Sequence, residues 1–367
     1  MESSLLFYKK LCNDLKQQGF EINPYDPCVA NKMVDGNQLT VTWHVDDLKV
    51  SHKDKKVVDD FIQWIRDCYE DVTKVKPSRG KVHDYLAMTL DYTTRGVVKI
   101  SMKDYIESIV KDFPYQQELG AGKAKTPAAE HLFKVDPNGK KLSKEKAEVF
   151  HTTVTEALFV CKRSRADIQT AVAFLCTRVK DPDEDDWKTL LRLLRYLRGT
   201  KNLCLTLKAD NLSMVSWWAD AAFAVHPDMK SHTGGIMSLG KGAVQSISTK
   251  QKLNTKSSTE AELVGADDVL SHILWTKHFM EAQGYKAKQT ILYQDNTSAI
   301  LLEKNGRDSA GKRSRHINIR YFYIKDKIES KELEIKYCPT DEMVADYMTK
   351  PLQAKKFHAF RKMILNL

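Results

Sequence analysis

Apolar residues recur along this chain with two different periods, and the places where the period changes divide it. Leu5, Leu6, Leu11, Cys12 and Leu15 fall on one helical face and Gly19 ends the pattern, so the chain opens with a helix. Leu39 to Trp43 and Leu48 to Ser51 are β-rich runs too short for helices. They flank His44-Val45-Asp46-Asp47, which predicts a hairpin with two carboxylates at its tip. Val57 to Tyr69 predicts a helix, Tyr85 to Tyr92 and Val97 to Ser101 a hairpin around Arg95-Gly96, and Ser101-x-x-Asp104 a capping box opening another helix.

From Gly120 to Lys144 the residues turn to Gly, Ala, Lys and Pro without apolar periodicity, which reads as a linker occupying residues 116–149. Helical spacing returns over Phe150 to Arg178 and, after Asp181-Pro182-Asp183, over Trp187 to Arg198, where Gly199 reads as the stop. Beyond residue 210 the order is strand, strand, strand, long helix, strand, helix, helix, strand, helix. The strands are Met214 to Trp218, Gly235 to Leu239, Ala243 to Ser248, Thr290 to Gln294 and Leu333 to Cys338. The helices are Ser257 to Ala282, Tyr321 to Ile328 and a closing helical stretch from Asp341 onward. Four segments result: 1–115, 116–149, 150–209 and 210–367.

Length and composition narrow the class. With 367 residues, 42% of them hydrophobic, the chain can bury ordinary cores, and disorder as the whole story is excluded. Its longest apolar stretches, such as Ala171 to Cys176, fall far short of the ~20 residues a membrane-spanning helix needs, so no membrane partner is expected. Seven cysteines, an odd number without a Cys-x-x-Cys pair, argue against a zinc site or a disulfide scaffold and for reduced thiols in an intracellular, cytoplasmic protein. No signal or transit peptide is apparent at Met1-Glu2-Ser3-Ser4. A formal net charge of +10 favours a polyanion, nucleic acid first.

Acidic residues supply the candidate chemistry. Asp220 lies just past the first strand of the last segment, Glu260 and Glu262 in the first turns of its long helix, Asp295 at a strand end, and Asp346 in a late helix. Taken alone, each is a turn former or a solvated acid. Together, on separate elements, they can converge into a set of hard oxygen ligands suited to Mg²⁺, and two such ions about 4 Å apart promote phosphodiester hydrolysis.

The wording of the chain is more specific still. Ser257-Ser258-Thr259-Glu260-Ala261-Glu262-Leu263, Gln294-Asp295-Asn296-Thr297-Ser298-Ala299-Ile300, Arg315-His316-Ile317, Cys338-Pro339-Thr340 and Ala345-Asp346-Tyr347-Met348-Thr349-Lys350-Pro351-Leu352 resemble the copia-type retrotransposon polyprotein. Upstream, Arg165-Ala166-Asp167-Ile168 and Leu193-Leu194-Arg195-Tyr196-Leu197-Arg198-Gly199-Thr200 resemble that family's segment between polymerase and ribonuclease H. His44-Val45-Asp46-Asp47 and Tyr25-Asp26-Pro27-Cys28 resemble its polymerase.

The resemblance implies a fold of class α+β and α/β: a partial reverse transcriptase palm and thumb over 1–115, a helical connection over 150–209, and a ribonuclease H-like domain over 210–367. That last domain is expected to be a mixed five-stranded sheet flanked by helices. Asp220, Glu262, Asp295 and Asp346 become the expected catalytic residues and the ligands of two Mg²⁺ ions. Glu260 is the rival of Glu262, which is preferred because a small residue, Gly265, follows it by three positions. Asp46 and Asp47 become the polymerase carboxylates. The partner carboxylate and the fingers of that polymerase lie upstream in the family, so primer extension by this chain is not expected. Ala222 stands where the family has an acid, and His44 where it has Tyr or Phe.

Expected partners are an RNA–DNA hybrid and a template–primer. Lys304, Arg307, Lys312, Arg313, Arg315, Arg320, Lys325 and Lys327 outweigh Asp308 and Asp326 by six charges. Lys312, Arg313, Arg315 and His316 in that stretch, and Arg192, Arg195 and Arg198 along one helix face, are the candidate nucleic-acid contacts. Solvated surface is the bland reading of each. The expected reaction is Mg²⁺-dependent cleavage of the RNA strand of a hybrid, in the cytoplasm or a virus-like particle of the element. A catalytically inactive nucleic-acid-binding remnant is the alternative. A transposase or integrase core shares the fold but places Glu in the late helix, where this chain has Asp346. The sequence leaves the oligomeric state open.

Overall fold

The computed structural model describes residues 2–305 and 318–367. Two compact units result, one of residues 1–86 with 275–286 and the other of 87–274 with 287–367. Among the described residues no helix is long and apolar enough to cross a membrane. All seven cysteines are free thiols, as their spacing implied.

The first unit is built on the two predicted helices and an antiparallel four-stranded sheet. Helix Glu2–Gln17 buries Leu11 and Leu15 against Leu39, Val41 and Trp43, the inward positions of strand Asn37–His44. The period-two alternation of that strand is the reason: Leu39, Val41 and Trp43 share one face. Helix Lys55–Tyr69 adds Phe61, and Asp54 caps it by accepting the Lys56 backbone N–H at 2.9 Å.

Residues 87–115, read with the first segment from their pattern, pack in the second unit. Strand Val98–Ser101 pairs there with Leu205–Ala209, a strand the sequence pattern did not mark. Helix Lys103–Asp112 opens without the expected capping box: its cap is Met102, and Ser101 only accepts from the Lys103 N–H at 3.3 Å. The residues read as a linker pack rather than dangle. Leu119, Ala128 and Leu132 join the core cluster, and helix Lys144–Cys161 begins six residues earlier than its apolar spacing suggested, capped by Ser143.

The helix expected over Phe150 to Arg178 is two helices, Lys144–Cys161 and Gln169–Arg178, joined by a single 3₁₀ turn at Ala166–Ile168. Arg165 causes the break by turning its side chain fully into the protein to meet Asp167. Helix Glu184–Thr200 follows, opened by a true capping box between Asp183 and Asp186. Gly199 does not stop it; the helix runs through to Thr200.

The remainder is the expected mixed sheet. Its strands are β1 (Met214–Ala222), β2 (His232–Ser238), β3 (Gln245–Lys250), β4 (Gln289–Gln294) and β5 (Glu334–Tyr337). In space the order is β3-β2-β1-β4-β5, with β2 antiparallel to both β1 and β3, and β4 parallel to both β1 and β5. Helices α1 (Ser258–Ala282), α2 (Thr297–Asn305), α3 (Asn318–Glu329), α4 (Asp346–Thr349) and α5 (Ala354–Leu365) accompany it. Val215, Trp217 and Ala219 of β1 pack on Leu263, Ala266, Val269 and Leu270 of α1.

Candidate metal centre

Three of the expected carboxylates meet. Asp220, Glu262 and Asp295 each present an oxygen within 4.8 Å of the others. Among the described residues they form the one such group of three or more His, Cys, Asp or Glu side chains. Their elements explain the convergence. Strand β1 runs four residues further than its pattern suggested, so Asp220 lies within the central strand, opposite Gly234 of β2, and not beyond its end. Asp295 follows the last residue of β4, the strand beside β1. Glu262 sits in the second turn of α1.

Small residues bring these elements close. A Cβ on Gly265 would meet the Cβ of Ala221 at 3.3 Å, so the glycine three positions after Glu262 lets α1 lie tight on β1. A Cβ on Gly234 would lie 2.6 Å from Thr349 and 2.9 Å from the Ala345 carbonyl, which no real side chain tolerates. That glycine admits α4 to the sheet and carries Asp346 and Thr349 to Asp220.

Glu260 and Glu262 are placed differently. Glu260 turns back on its own helix start and accepts the Lys256 N–H at 2.7 Å. Glu262 faces the two aspartates, buried, and its Oε2 has no hydrogen-bond partner. Such an oxygen costs free energy unless a cation or donor meets it.

Electrostatics say the same. Burial, with the charges of Asp220 and Asp295 added to it, pushes the Glu262 carboxyl well above the ordinary glutamate range. Asp220 is pushed up to about 6 by burial, a rise that Lys350 opposes and Asp346 and Asp295 reinforce. Buried oxygens of one sign, gathered with one left unpartnered, match the donor set of a hard divalent cation; the residues present fit Mg²⁺.

Asp346 is adjacent but engaged. Lys350 and Lys356 hold its two oxygens, the latter at 2.7 Å, while Lys350 also reaches Asp220. Thr349 donates its hydroxyl to Asp220, and Thr340 donates to Asp295 at 3.0 Å. The sequence reading missed Thr340, Thr349, Lys350 and Lys356. For Lys350 a signal existed: it stands four residues after Asp346 in the same helical stretch.

Other candidates are placed differently. Asp46 lies in the two-residue turn of the predicted hairpin and Asp47 on its outgoing strand, both exposed. Val45 between them and His44 has φ of +55°, a conformation that β-branched residues avoid. No third carboxylate joins them among the described residues.

Arg192, Arg195 and Arg198 are spent on the stretch before them. Arg192 donates to the Thr126 hydroxyl and carbonyl, Arg195 to the carbonyls of Leu119 and Glu118, and Arg198 to those of Gly120 and Gly122. The helical stripe that suggested phosphate contacts is a clamp on residues 118–126, because free carbonyls there need donors. Lys312, Arg313, Arg315 and His316 lie outside the described residues.

Over 366 residues, 98% of its length, the chain is 28% identical to the retrovirus-related Pol polyprotein from transposon TNT 1-94 of Nicotiana tabacum, of which it covers 27%. It is 32% identical over 203 residues to the Pol polyprotein from transposon RE2 of Arabidopsis thaliana, covering 55% of this chain and 14% of that one. The chain is related to the Pol polyproteins of copia-type retrotransposons.

A putative transposon Ty5-1 protein of Saccharomyces cerevisiae is a shorter copia-type relative, 24% identical over 278 residues that make up 74% of this chain and 86% of its own length. The chain thus spans about a quarter or less of the longer copia-type relatives. No family model matches it. Among solved structures, LC11-RNase H1 isolated from compost superposes on 37% of the chain with a TM-score of 0.29 and 12% identity, covering 92% of that structure. Prototype foamy virus protease–reverse transcriptase superposes on 92% with a TM-score of 0.26 and 13% identity, covering 38% of that structure.

Proposed function

We propose that the unit holding Asp220, Glu262 and Asp295 is a ribonuclease H that cleaves the RNA strand of RNA–DNA hybrids with Mg²⁺. The observation that carries the reading is the buried oxygen of Glu262, left without a partner where it faces two further carboxylates. The copia-type kinship of the chain supports it.

In this reading Asp220, Glu262 and Asp295 hold the metal and Asp346 completes the set. When bound, the ion polarises the phosphodiester and makes water a competent nucleophile at neutral pH. The protein's own part is orientation. Thr349 fixes one oxygen of Asp220 and Thr340 one oxygen of Asp295, which holds the two carboxylates in place beside Glu262. Burial raises the cost of leaving those charges uncompensated, which favours cation capture.

Lys312, Arg313, Arg315 and His316 are proposed contacts to the phosphates of the hybrid, and the template–primer is the partner proposed for the first unit, around Asp46 and Asp47. These contacts would position the duplex without reading its sequence. Action inside the cell is part of this reading.

The test is cleavage by the purified chain, with Mg²⁺, of a labelled RNA strand paired with DNA, beside the same strand paired with RNA and alone. Cutting of the hybrid only, lost in Asp295→Asn while hybrid binding persists, is the expected result. Hybrid binding without cleavage by the unaltered chain would favour the inactive nucleic-acid-binding remnant.

A further inference from the structure

Four carboxylates and two lysines share the neighbourhood of Asp220. Asp220, Glu262, Asp295 and Asp346 bring four carboxyl groups, and Lys350 and Lys356 bring two ammonium groups to them. The lysines are not spread evenly. Lys350 Nζ lies 2.5 Å from Asp346 Oδ1 and 3.4 Å from Asp220 Oδ2, bridging the two aspartates, and Lys356 holds the other Asp346 oxygen at 2.7 Å. Among the described residues no ammonium bonds to Glu262 or Asp295, and it is Glu262 that keeps a buried oxygen without a partner there. The cationic half and the bare half of the cluster are therefore distinct.

We infer that Lys350 is a positioning residue that stands between Asp220 and Asp346 in place of a second metal ion. The free protein then takes one divalent ion tightly, at Asp220, Glu262 and Asp295, and a second only by displacing the lysine. This rests on the reading of the three carboxylates as a metal centre and adds to it the order in which ions enter. Its physical basis is Coulombic. An ammonium within hydrogen-bonding distance of two buried carboxylates occupies the oxygens that a second cation would need, and moving it back to solvent costs the ion pairs it makes. Thr349, one residue before Lys350, fixes Asp220 by a hydroxyl and cannot substitute for the charge.

The experiment is a Mn²⁺ titration of the whole chain without nucleic acid, with free Mn²⁺ followed by electron paramagnetic resonance and folding checked by thermal unfolding. The unaltered protein should bind one equivalent, with a second at least about tenfold weaker, a difference of roughly 1.4 kcal/mol. Lys350→Met should bring the second site to within reach of the first, Lys350→Arg should keep the single equivalent, and Asp346→Asn added to Lys350→Met should remove the second site again. Two equivalents of similar affinity in the unaltered chain, or a Lys350→Met curve that superposes on it, would overturn the inference while leaving the three-carboxylate centre standing. No Mn²⁺ bound by any form would sink both. Should Lys350→Met not fold, the stoichiometry of the unaltered chain and the Lys350→Arg curve still decide, since tight double occupancy in either contradicts the role.

Discussion

Arg165 and Asp167 face each other through two parallel hydrogen bonds of 2.8 Å, and neither side chain reaches solvent. The pair is also tied outward. Tyr196 donates its hydroxyl to the same Asp167 carboxylate at 2.6 Å, Arg165 donates to the Thr200 carbonyl at 3.0 Å, and Tyr347 donates to the Asp167 carbonyl at 3.2 Å. One buried ion pair thus joins the turn after Lys144–Cys161, the helix Glu184–Thr200 and α4. Asp167→Asn leaves a buried guanidinium without its counter-charge, and breaking such a pair costs about 3–5 kcal/mol. Urea unfolding should show that loss with an unchanged denaturant slope; a change under about 1 kcal/mol would mean the pair is dispensable.

His226, His232 and Ser248 form a buried relay. Ser248 donates to the Met348 carbonyl at 2.7 Å, so it accepts from His232 Nε2 at 2.8 Å, and His232 Nδ1 in turn accepts from His226 Nε2 at 3.0 Å. His226 Nδ1 is buried without a partner, so neither ring has room for a second proton. Burial lowers His226 to about 4, with Lys250 adding to the effect and Asp228 opposing it, and lowers His232 to about 3, with His226 adding to it. Both folded values lie below the unfolded one. The contribution of the two rings to stability is therefore complete above about pH 6.5 and falls as the pH drops toward the folded values. Between pH 7 and 5 that contribution should fall by on the order of 3 kcal/mol, against the opposite contribution of Glu303, so that His226→Gln loses less stability over this range than the unaltered protein. Parallel pH profiles for the two proteins would contradict this.

Glu303 of α2 is the opposite case. Its side chain is fully buried, both oxygens lack partners among the described residues, and burial, opposed weakly by Lys304, raises it to about 8. With the folded value above the unfolded one, the folded state holds a proton that the unfolded chain gives up, so the Glu303 contribution to stability declines from about pH 4.5 to 8 at up to about 1.4 kcal/mol per pH unit. Glu303→Gln should remove the decline and stabilise the protein at pH 8 more than at pH 5. Equal effects at both pH values would show the carboxyl is already ionised.

Primer extension should stay at background although the chain carries Asp46 and Asp47. Both are exposed at a hairpin tip, and no third carboxylate joins them among the described residues. Two carboxylates alone do not give either of two ions its six-oxygen shell. Assays with Mg²⁺ or Mn²⁺ on an RNA template read this directly, and robust extension would mean another acid of the first unit completes the site.

The site was legible in the sequence where it depends on element order and lost where it depends on contact. Asp220, Asp295 and Asp346 stand at strand and helix positions that periodicity marks, and Gly265 pointed to Glu262 through helix–sheet packing. The full length of β1 was hidden because Ala221 and Ala222 are buried on both faces and show no alternation. Thr349 and Thr340 were hidden because their partners, Asp220 and Asp295, lie tens of residues away in sequence, and so was the reach of Lys350 to Asp220. The arginine stripe on Glu184–Thr200 shows the other limit: spacing identified a face, while the carbonyls of residues 118–126 decided what that face does. Likewise the break at Arg165 follows from a buried partner that helical propensity does not register.

The most direct measurement is hybrid cleavage by two isosteric variants two residues apart. Glu262→Gln removes the carboxylate that faces Asp220 and Asp295, whereas Glu260→Gln alters a carboxylate that accepts from the Lys256 N–H at the helix start and is not in that group of three. With Mg²⁺ and an RNA–DNA hybrid, Glu262→Gln should lose cleavage by orders of magnitude and keep its affinity for the hybrid, and Glu260→Gln should cut at close to the unaltered rate. Undiminished cleavage by Glu262→Gln, or a loss confined to Glu260→Gln, would contradict the metal centre described above.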